Sequence, residues 1–185
     1  MTTITPLALA EVLLITPKRH GDARGWFSET WSKKALSAAA GLEPVFVQDN
    51  QAFSARKGTL RGLHFQKPPF AQGKLVRVLR GAVFDVAVDI RAGSPTFGQW
   101  AAATLTAEAG EQIWVPPGFA HAYMTLTDDC EIFYKVDNDY APGAEGGVIW
   151  NDPDIGVAWP LDVDPMLSDK DKVQPRLKDL GKTGF

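Results

Sequence analysis

The 185-residue chain carries 22 acidic and 19 basic side chains, which gives a formal net charge of −3 at pH 7. Hydrophobic residues make up 45% of it and charged residues 22%, as in ordinary globular proteins and unlike disordered chains. This balance excludes a general attraction to nucleic acid or to an anionic membrane, so any anion must be bound by a local cluster of basic side chains. The length suits one domain, and we predict a single domain over residues 1–185.

The cysteine content and the N-terminus bear on where the protein works. Cys130 is the only cysteine, which excludes an intramolecular disulfide and a zinc site built from several thiolates. The first residues lack a basic start, and Glu11 interrupts their apolar stretch, so no signal peptide is predicted. No window approaches the roughly 20 apolar residues that span a bilayer. We therefore expect a cytoplasmic protein with no membrane partner.

Short alternating runs between turn residues (17 Gly and 13 Pro) indicate an all-β protein. The first predicted element is a short helix over residues 33–40, capped by Ser32 and ended by Gly41. A second short helix is predicted near 169–172, where Ser168 is the cap. The predicted strands lie at 45–50, 60–66, 74–79, 83–91, 111–115 and 131–136. Many short strands in a domain of this length are typical of a jelly roll or a related barrel.

The strand predicted at 83–91 alternates most clearly. One face carries Phe84, Val86, Val88 and Ile90, and the other carries Asp85, Ala87, Asp89 and Arg91. Side chains on a strand repeat with period 2, so we expect the apolar face to be buried and the polar face to meet water.

Two segments resemble the motifs of the cupin barrel. Gly110 to His121 reads G-x5-P-x-G-x2-H, the second cupin motif: a strand, a tight Pro-Gly turn and a return strand. Gly58 to Gln66 reads G-x5-H-x-Q, where metal-binding members have G-x5-H-x-H. Lys74 stands seven residues before Gly81, where that motif has a glutamate. The fold prediction is therefore an all-β, cupin-like jelly-roll barrel or sandwich with a few short peripheral helices.

The departures from the first motif argue against a metal. A lysine ammonium offers three donors and no lone pair, and an amide such as that of Gln66 is a poor ligand for a transition metal. His64 and His121 alone are fewer than the three protein ligands of a usual catalytic site. We predict no metal and no other cofactor, and we expect Lys74 to stabilise negative charge in the cavity.

Alternation also groups polar side chains with apolar ones, as expected of a barrel that holds a polar ligand. Which face of each strand points inward stays open, since both faces of some strands are apolar. The groups are Lys74 with Val76 and Val78, Tyr134 with Ile132 and Val136, Gln48 with Asn50, and Glu29 between Phe27 and Trp31.

From about residue 20 to about residue 175, the chain resembles the dTDP-4-dehydrorhamnose 3,5-epimerase family. The central match is Arg61-Gly-Leu-His64-Phe-Gln66, followed by Pro68-Pro69 and Gln72-Gly-Lys74-Leu-Val-Arg77-Val. Further matches are Asp22-Ala-Arg24-Gly-Trp-Phe27-Ser-Glu29, Gln48-Asp-Asn50, Phe84-Asp85-Val86, Ser94-Pro95-Thr96-Phe97-Gly98, Trp114-Val-Pro116-Pro-Gly118-Phe119-Ala-His121 and Leu167-Ser-Asp-Lys170-Asp171.

The resemblance implies a role for each matching residue. His64 would remove a proton beside the C4 ketone of the sugar, and Asp171 would orient His64. Lys74 would stabilise the enolate, and Tyr134 would return a proton on the opposite face. The sugar and the nucleoside diphosphate would be held by Arg24, Phe27, Glu29, Gln48, Asn50, Arg61, His121, Glu145 and Lys170. The family acts on C3 and C5 of a dTDP-sugar, requires no metal and forms homodimers.

Simpler local interpretations exist for the same residues. Ser168 to Asp171 also fits the capping box S-x-x-D, Tyr134 could be core packing, and Lys74 could lie at a solvated edge. The nucleobase could stack on Phe27, Trp26 or Phe119, which the sequence does not separate. Three other functions remain open at this point: a single-carbon epimerase or isomerase for an antibiotic sugar, a metal-dependent cupin oxygenase or isomerase, and a sugar-nucleotide binder without catalysis.

Overall fold

The computed structural model describes residues 2–160 and 162–185, and most of its regular structure is antiparallel sheet. The strands in chain order are β1 (Thr3–Pro6), β2 (Leu13–Thr16), β3 (Arg19–Asp22), β4 (Gly25–Ser28), β5 (Gln48–Ser54), β6 (Leu60–Gln66), β7 (Lys74–Arg80), β8 (Ala82–Asp89), β9 (Trp100–Thr106), β10 (Gln112–Val115), β11 (Phe119–Thr125), β12 (Cys130–Val136) and β13 (Glu145–Gly147). Helix α1 spans Lys33–Ala40, and short 3-10 helices span Pro142–Ala144, Asp171–Val173 and Leu177–Asp179.

Two sheets form the barrel. The first has the strand order β1-β2-β10-β7-β12-β5, and the second has the order β13-β6-β11-β8-β9. Buried side chains of both sheets meet in one apolar cluster, which includes Val76 and Ile132 from the first sheet and Val83 and Leu105 from the second. Burial of this apolar area is the main driving force that holds the sheets face to face. The prediction of an all-β jelly-roll barrel is confirmed.

Helix α1 lies where the sequence predicted it. The Ser32 hydroxyl accepts a hydrogen bond from the Ala35 amide at 3.3 Å, and Gly41 ends the helix in the left-handed conformation with φ of 66°. Leu36 is the buried residue of the helix and packs beside Trp114. Capping signals act within one turn of the chain, so the sequence was sufficient to place both helix ends.

The strand predictions differ from the structure mainly at the ends. Residues 60–66 coincide with β6, while 45–50 is wrong in position because β5 begins at Gln48 and runs to Ser54. The other predicted strands overlap β7, β8, β10 and β12. The helix expected near 169–172 is the 3-10 helix Asp171–Val173. Strands β1, β2, β3, β9 and β13 had not been predicted individually.

The prediction of a wet face on β8 is wrong. Asp85 and Asp89 are both fully buried, as are Val86 and Val88 on the opposite face. Strand β8 lies between β11 and β9, and its outer face is covered by a second apolar cluster that includes Leu177 of the C-terminal segment. The polar face therefore turns into the barrel, where its carboxylates need partners.

Candidate active site

A cleft of about 480 Å³ opens between the two sheets. Side chains of both sheets and of the segment from Met166 to Asp171 form its walls. Its ionisable wall residues are Arg61, His64, Lys74, His121, Tyr123, Tyr134, Lys170 and Asp171. A cleft with several convergent ionisable groups is the usual form of a catalytic site.

Strand register explains how the two walls face each other. In the second sheet, His64 of β6 is the register partner of His121 of β11. In the first sheet, Lys74 of β7 is the register partner of Val136 of β12, and Tyr134 lies two residues before Val136 on the same face of β12. Residues two apart on a strand share a face, so Lys74 and Tyr134 both point toward the wall that carries the two histidines.

A histidine and an aspartate form the tightest polar contact of the cleft. His64 Nε2 lies 2.5 Å from Asp171 Oδ1, with 29% of the histidine side chain exposed and 3% of the aspartate side chain. A carboxylate accepts hydrogen bonds, so Nε2 carries the proton of this bond and Nδ1 remains the nitrogen that can accept another. The ring is held in one orientation with a basic nitrogen, as a general base requires.

Asp171 combines two roles that the sequence had offered as alternatives. Its backbone amide donates to the Ser168 hydroxyl at 3.1 Å, which is the predicted cap, while its carboxylate meets His64. Burial raises the pKa of the Asp171 carboxyl, but the hydrogen bond and charge of His64 and contacts with Ser168 and Gly62 outweigh it and leave the pKa below its ordinary value. The carboxylate is therefore charged at neutral pH.

Lys74 is partly buried in the cleft wall. Desolvation lowers the pKa of its ammonium from 10.5 to about 8, against the opposing charges of Asp85 and Glu145. The solvated edge considered for Lys74 is thus wrong. A cation that is poorly hydrated can interact strongly with a negative charge that develops beside it.

Two tyrosines line the same cleft. Burial raises the pKa of Tyr134, and the charge of Arg61 opposes the rise. Burial also raises the pKa of Tyr123 to about 12, again against Arg61. Among buried side-chain atoms in the described part of the chain, the Tyr123 hydroxyl alone lacks a hydrogen-bond partner. Both phenols are therefore protonated at neutral pH and can act as donors.

Most residues expected to bind substrate lie in or beside the cleft. Arg61, His121 and Lys170 are wall residues, and Lys170 forms an ion pair with Glu145. Gln48 and Asn50 share the face of Tyr134 on the neighbouring strand β5, and Gln48 Nε2 donates to Asn50 Oδ1 at 2.8 Å.

The structure does not bring Arg24, Phe27 and Glu29 to the cleft of the same chain. Arg24 is 90% exposed and pairs with Asp22 at the tip of the β3–β4 hairpin, and Phe27 on that hairpin is 71% exposed. Glu29 lines a separate small cavity beside Trp31. Within one chain, the expectation that these three side chains surround the substrate is not met, because the hairpin pairs with itself alone.

Gln66 has a structural task. Its side chain is buried; Nε2 donates to the carbonyls of Phe70 at 2.7 Å and Asp139 at 3.1 Å, and Oε1 accepts from the Ala141 amide at 2.8 Å. These bonds use the amide to join the loop between β12 and β13 to the loop between β6 and β7. Over residues 2–160 and 162–185, no group of three or more His, Cys, Asp and Glu side chains is placed to hold a metal ion.

Sequence reasoning missed two polar residues of the inner face. Asp85 accepts from His121 Nε2 at 2.9 and 3.0 Å, and Tyr123 is its register partner on β11. The alternation of side chains along each strand could have found both residues, because residues two apart share a face. Tyr123 lies two residues beyond His121, and Asp85 lies two before Ala87. Both were missed because the apolar face of β8 had been taken as the inner one.

A jelly-roll barrel whose cleft holds a histidine–aspartate pair, a tyrosine and a desolvated lysine defines a cupin-like protein equipped for acid–base chemistry. The family model described as dTDP-4-dehydrorhamnose 3,5-epimerase matches residues 6–179. The chain belongs to this family.

Individual relatives show how far the likeness extends. The dTDP-4-dehydrorhamnose 3,5-epimerase of Sinorhizobium fredii is 53% identical over 178 residues, which cover 94% of this chain and 89% of the relative. The crystal structure of the 3,5-epimerase from Legionella pneumophila, in complex with dTDP-4-keto-L-rhamnose, gives a TM-score of 0.93 at 42% identity and covers 97% of this chain and 95% of that one. A 3'-monoepimerase from Streptomyces bikiniensis, in complex with dTDP-quinovose, gives a TM-score of 0.88 at 38% identity, covering 94% and 87%.

Proposed function

We propose that the protein converts dTDP-4-dehydro-6-deoxy-D-glucose into dTDP-4-dehydro-L-rhamnose by inverting C3 and C5, a step of dTDP-L-rhamnose biosynthesis. The observation that carries the proposal is the His64–Asp171 pair, with Nε2 and Oδ1 2.5 Å apart, on a cleft wall that faces Tyr134 and Lys74. The family membership supports the same substrate class.

The chemistry follows from the C4 ketone, which makes the hydrogens on C3 and C5 acidic. His64 takes one of these protons, and the electron pair of the C–H bond moves into an enolate whose negative charge lies on the C4 oxygen. A proton returned to the carbon from the other face inverts the centre, and no net proton is gained or lost. A positioned base or acid of this kind contributes roughly 10²–10⁴ in rate.

Three other side chains complete the proposed mechanism. Tyr134, on the opposite wall and protonated at neutral pH, returns the proton. The Lys74 ammonium, poorly solvated in the wall, stabilises the enolate oxygen, a contribution of about 3–4 kcal/mol for one well-placed donor. Asp171 keeps the His64 ring oriented and favours its protonated form after proton abstraction.

We propose that the reaction needs no metal. The support is chemical: a lysine occupies the position of the carboxylate ligand, and the Gln66 amide is committed to three backbone bonds. Substrate binding is assigned to Arg61, Lys170, His121, Glu145, Gln48 and Asn50, which lie in the cleft or beside it. Arg61 suits a diphosphate because a guanidinium donates two parallel hydrogen bonds.

A homodimer would explain the position of the remaining predicted binding residues. Trp26 and Phe27 are 56% and 71% exposed on the β3–β4 hairpin, and Arg24 lies at its tip. Exposed aromatic side chains on a projecting hairpin favour a contact with a second copy. We propose that each hairpin reaches the cleft of the partner. Light scattering of the pure protein tests the dimer, and a monomer of 20.1 kDa with full activity contradicts it.

The location and the domain extent are also proposals. In the described part of the chain, no helix has the length and apolar character to cross a bilayer. One buried free thiol at Cys130 accords with a reducing compartment, and we propose the cytoplasm. A single domain over 1–185 is supported by the core that both sheets share.

Isotope incorporation tests the reaction and separates it from the nearest alternative. The protein is incubated with dTDP-4-dehydro-6-deoxy-D-glucose in deuterated water, and the sugar is analysed by NMR. We expect deuterium at both C3 and C5. Label at C3 alone would instead assign the single-carbon activity that the Streptomyces bikiniensis protein is named for, and no label would contradict epimerisation altogether.

A further inference from the structure

A second histidine–aspartate pair lies beside the first. His121 Nε2 is 2.9 and 3.0 Å from the two carboxylate oxygens of Asp85, and His121 is the register partner of His64. The side chains of the second pair are only 8% and 0% exposed, compared with 29% for His64. The base must reach the sugar, so the buried pair is poorly placed for proton abstraction and must serve another purpose.

The Asp85 side chain is fully buried. It lies on an inner strand of the second sheet, among residues that are themselves fully buried, such as Val83 and Ala87. A buried carboxylate is costly unless it is paired with positive charge. His121 supplies one partner by hydrogen bond, and Lys74 on the facing wall supplies a second by charge.

We propose that Asp85 is a positioning residue of the reaction, a buried counterion that keeps the Lys74 ammonium charged and directed at the substrate ketone. The geometry supports this because Asp85 is bonded to His121 and is the register partner of Tyr123, and both of these residues line the cleft together with Lys74. Without a fixed anion nearby, desolvation would favour the neutral amine, which cannot stabilise an enolate. The inference rests on the proposed role of Lys74.

The surroundings of Lys74 single out Asp85 among its neighbours. Of the two carboxylates whose charge acts on Lys74, Asp85 has the larger effect, and Glu145 is also engaged in an ion pair with Lys170. The ionisable groups around Lys74 on the packed elements are Asp85, Glu145, His64, His121, Tyr123, Tyr134, Lys170, Asp171, Arg61 and Asp137, the last bonded to the Gly73 amide.

The same pair fixes His121. Since a carboxylate only accepts, Nε2 donates to Asp85, and Nδ1 is the ring nitrogen available to a sugar hydroxyl. An Asp85→Asn variant keeps the size of the side chain and an oxygen that can accept from His121. It therefore removes the charge while leaving the packing of β8 against β11 nearly unchanged.

The direct test is the titration of the Lys74 ammonium, followed by NMR in protein labelled with ¹⁵N and ¹³C at lysine and assigned by the signal lost in Lys74→Met. This reading needs no substrate, so it is independent of the proposed reaction. In Asp85→Asn we expect the Lys74 titration to move at least one pH unit lower, and in the matched variant Glu145→Gln we expect a smaller move. An unchanged titration in Asp85→Asn would overturn the proposal.

Activity provides the second reading. In Asp85→Asn the high-pH limb of kcat should move down by the same interval, with activity partly recovered near pH 6. A uniform loss at every pH, with the limb in place, would show a merely structural role. Should Asp85→Asn not fold, His121→Asn serves instead: it retains the carboxylate, so the Lys74 titration should not fall below that of wild type, and a lower value contradicts the proposal.

Discussion

His64 Nε2 and Asp171 Oδ1 lie 2.5 Å apart although 107 residues separate the two side chains in the chain. Strand β6 carries the histidine, and a 3-10 turn near the C-terminus carries the aspartate across the mouth of the barrel. The pair therefore forms only when the C-terminal segment docks, which couples the assembly of the site to the completion of the fold.

Asp171→Asn tests the orientation of the base. An amide can still contact His64, but it no longer favours the protonated ring, so we expect kcat to fall by about 10²–10⁴-fold with little change in dTDP affinity. Steady-state kinetics and calorimetry with dTDP give the two readings. Near-wild-type kcat would remove Asp171 from the mechanism.

Asp171→Asn should also change stability in acid. The pKa of the Asp171 carboxyl is below its ordinary value in the folded state, so the charged carboxylate contributes stability above the unfolded pKa, and this stability is lost as the pH falls through the folded value. As the pH falls below 5, the unfolding free energy of wild type should therefore decrease more than that of the variant. Urea unfolding at a series of pH values measures both. Parallel curves would contradict this.

Lys74→Met tests the oxyanion partner. Loss of the ammonium should lower kcat by about 10²–10³-fold. In wild type, the rate should fall as the pH rises through about 8, where Lys74 loses its proton. A rate that stays level to pH 9.5 would show that a charged Lys74 is not required.

The ionisation of Lys74 should make the stability of the folded protein rise with pH, whereas it makes the rate fall. The folded pKa is about 8 and the ordinary value is 10.5, so the unfolded chain binds more protons between these values. Wild-type stability should thus rise with pH over that interval, and Lys74→Met should remove the rise. Urea unfolding at pH 8 and pH 10 measures it, and a wild-type decrease matched by the variant contradicts it.

Tyr123→Phe tests whether the buried Tyr123 hydroxyl contributes to the unfolding free energy. The Tyr123 hydroxyl is buried and makes no hydrogen bond of good geometry in the described structure, although Ser54 lies near enough to lower its pKa, so its removal relieves a poorly satisfied polar group. We expect the unfolding free energy to stay unchanged or to increase by about 1 kcal/mol. Tyr140→Phe, at a half-exposed position, is the control for loss of a phenol hydroxyl. A loss of several kcal/mol at Tyr123 would mean that the hydroxyl is bonded in solution.

The sequence predicted those features of the fold that depend on neighbouring residues, and it failed where a feature depends on residues far away in the chain. The ends of α1 were predicted because Ser32 and Gly41 act on neighbouring residues. The inner face of β8 was predicted wrongly because both faces are covered, one by residues as distant as Leu177. Asp85 was missed for that reason, since only the packing of both sheets shows that its side chain turns into the barrel.

The candidate site shows the same division. The grouping of Gln48 with Asn50 follows from alternation and is seen in their hydrogen bond. The meeting of His64 and Asp171 came only from family resemblance, because the local pattern around Asp171 fits a cap equally well, and the structure contains both. The distance of Arg24 from the cleft could not be predicted, since it depends on how a self-paired hairpin projects from the barrel.

The most direct measurement of the proposed chemistry is proton exchange in His64→Ala. The wild-type and variant proteins are incubated with the 4-keto sugar nucleotide in deuterated water, and dTDP affinity is measured alongside. We expect the variant to lose exchange at both C3 and C5 while its dTDP dissociation constant stays within about threefold, a difference of roughly 0.7 kcal/mol. Exchange near the wild-type rate, with binding intact, would show that another group removes the proton.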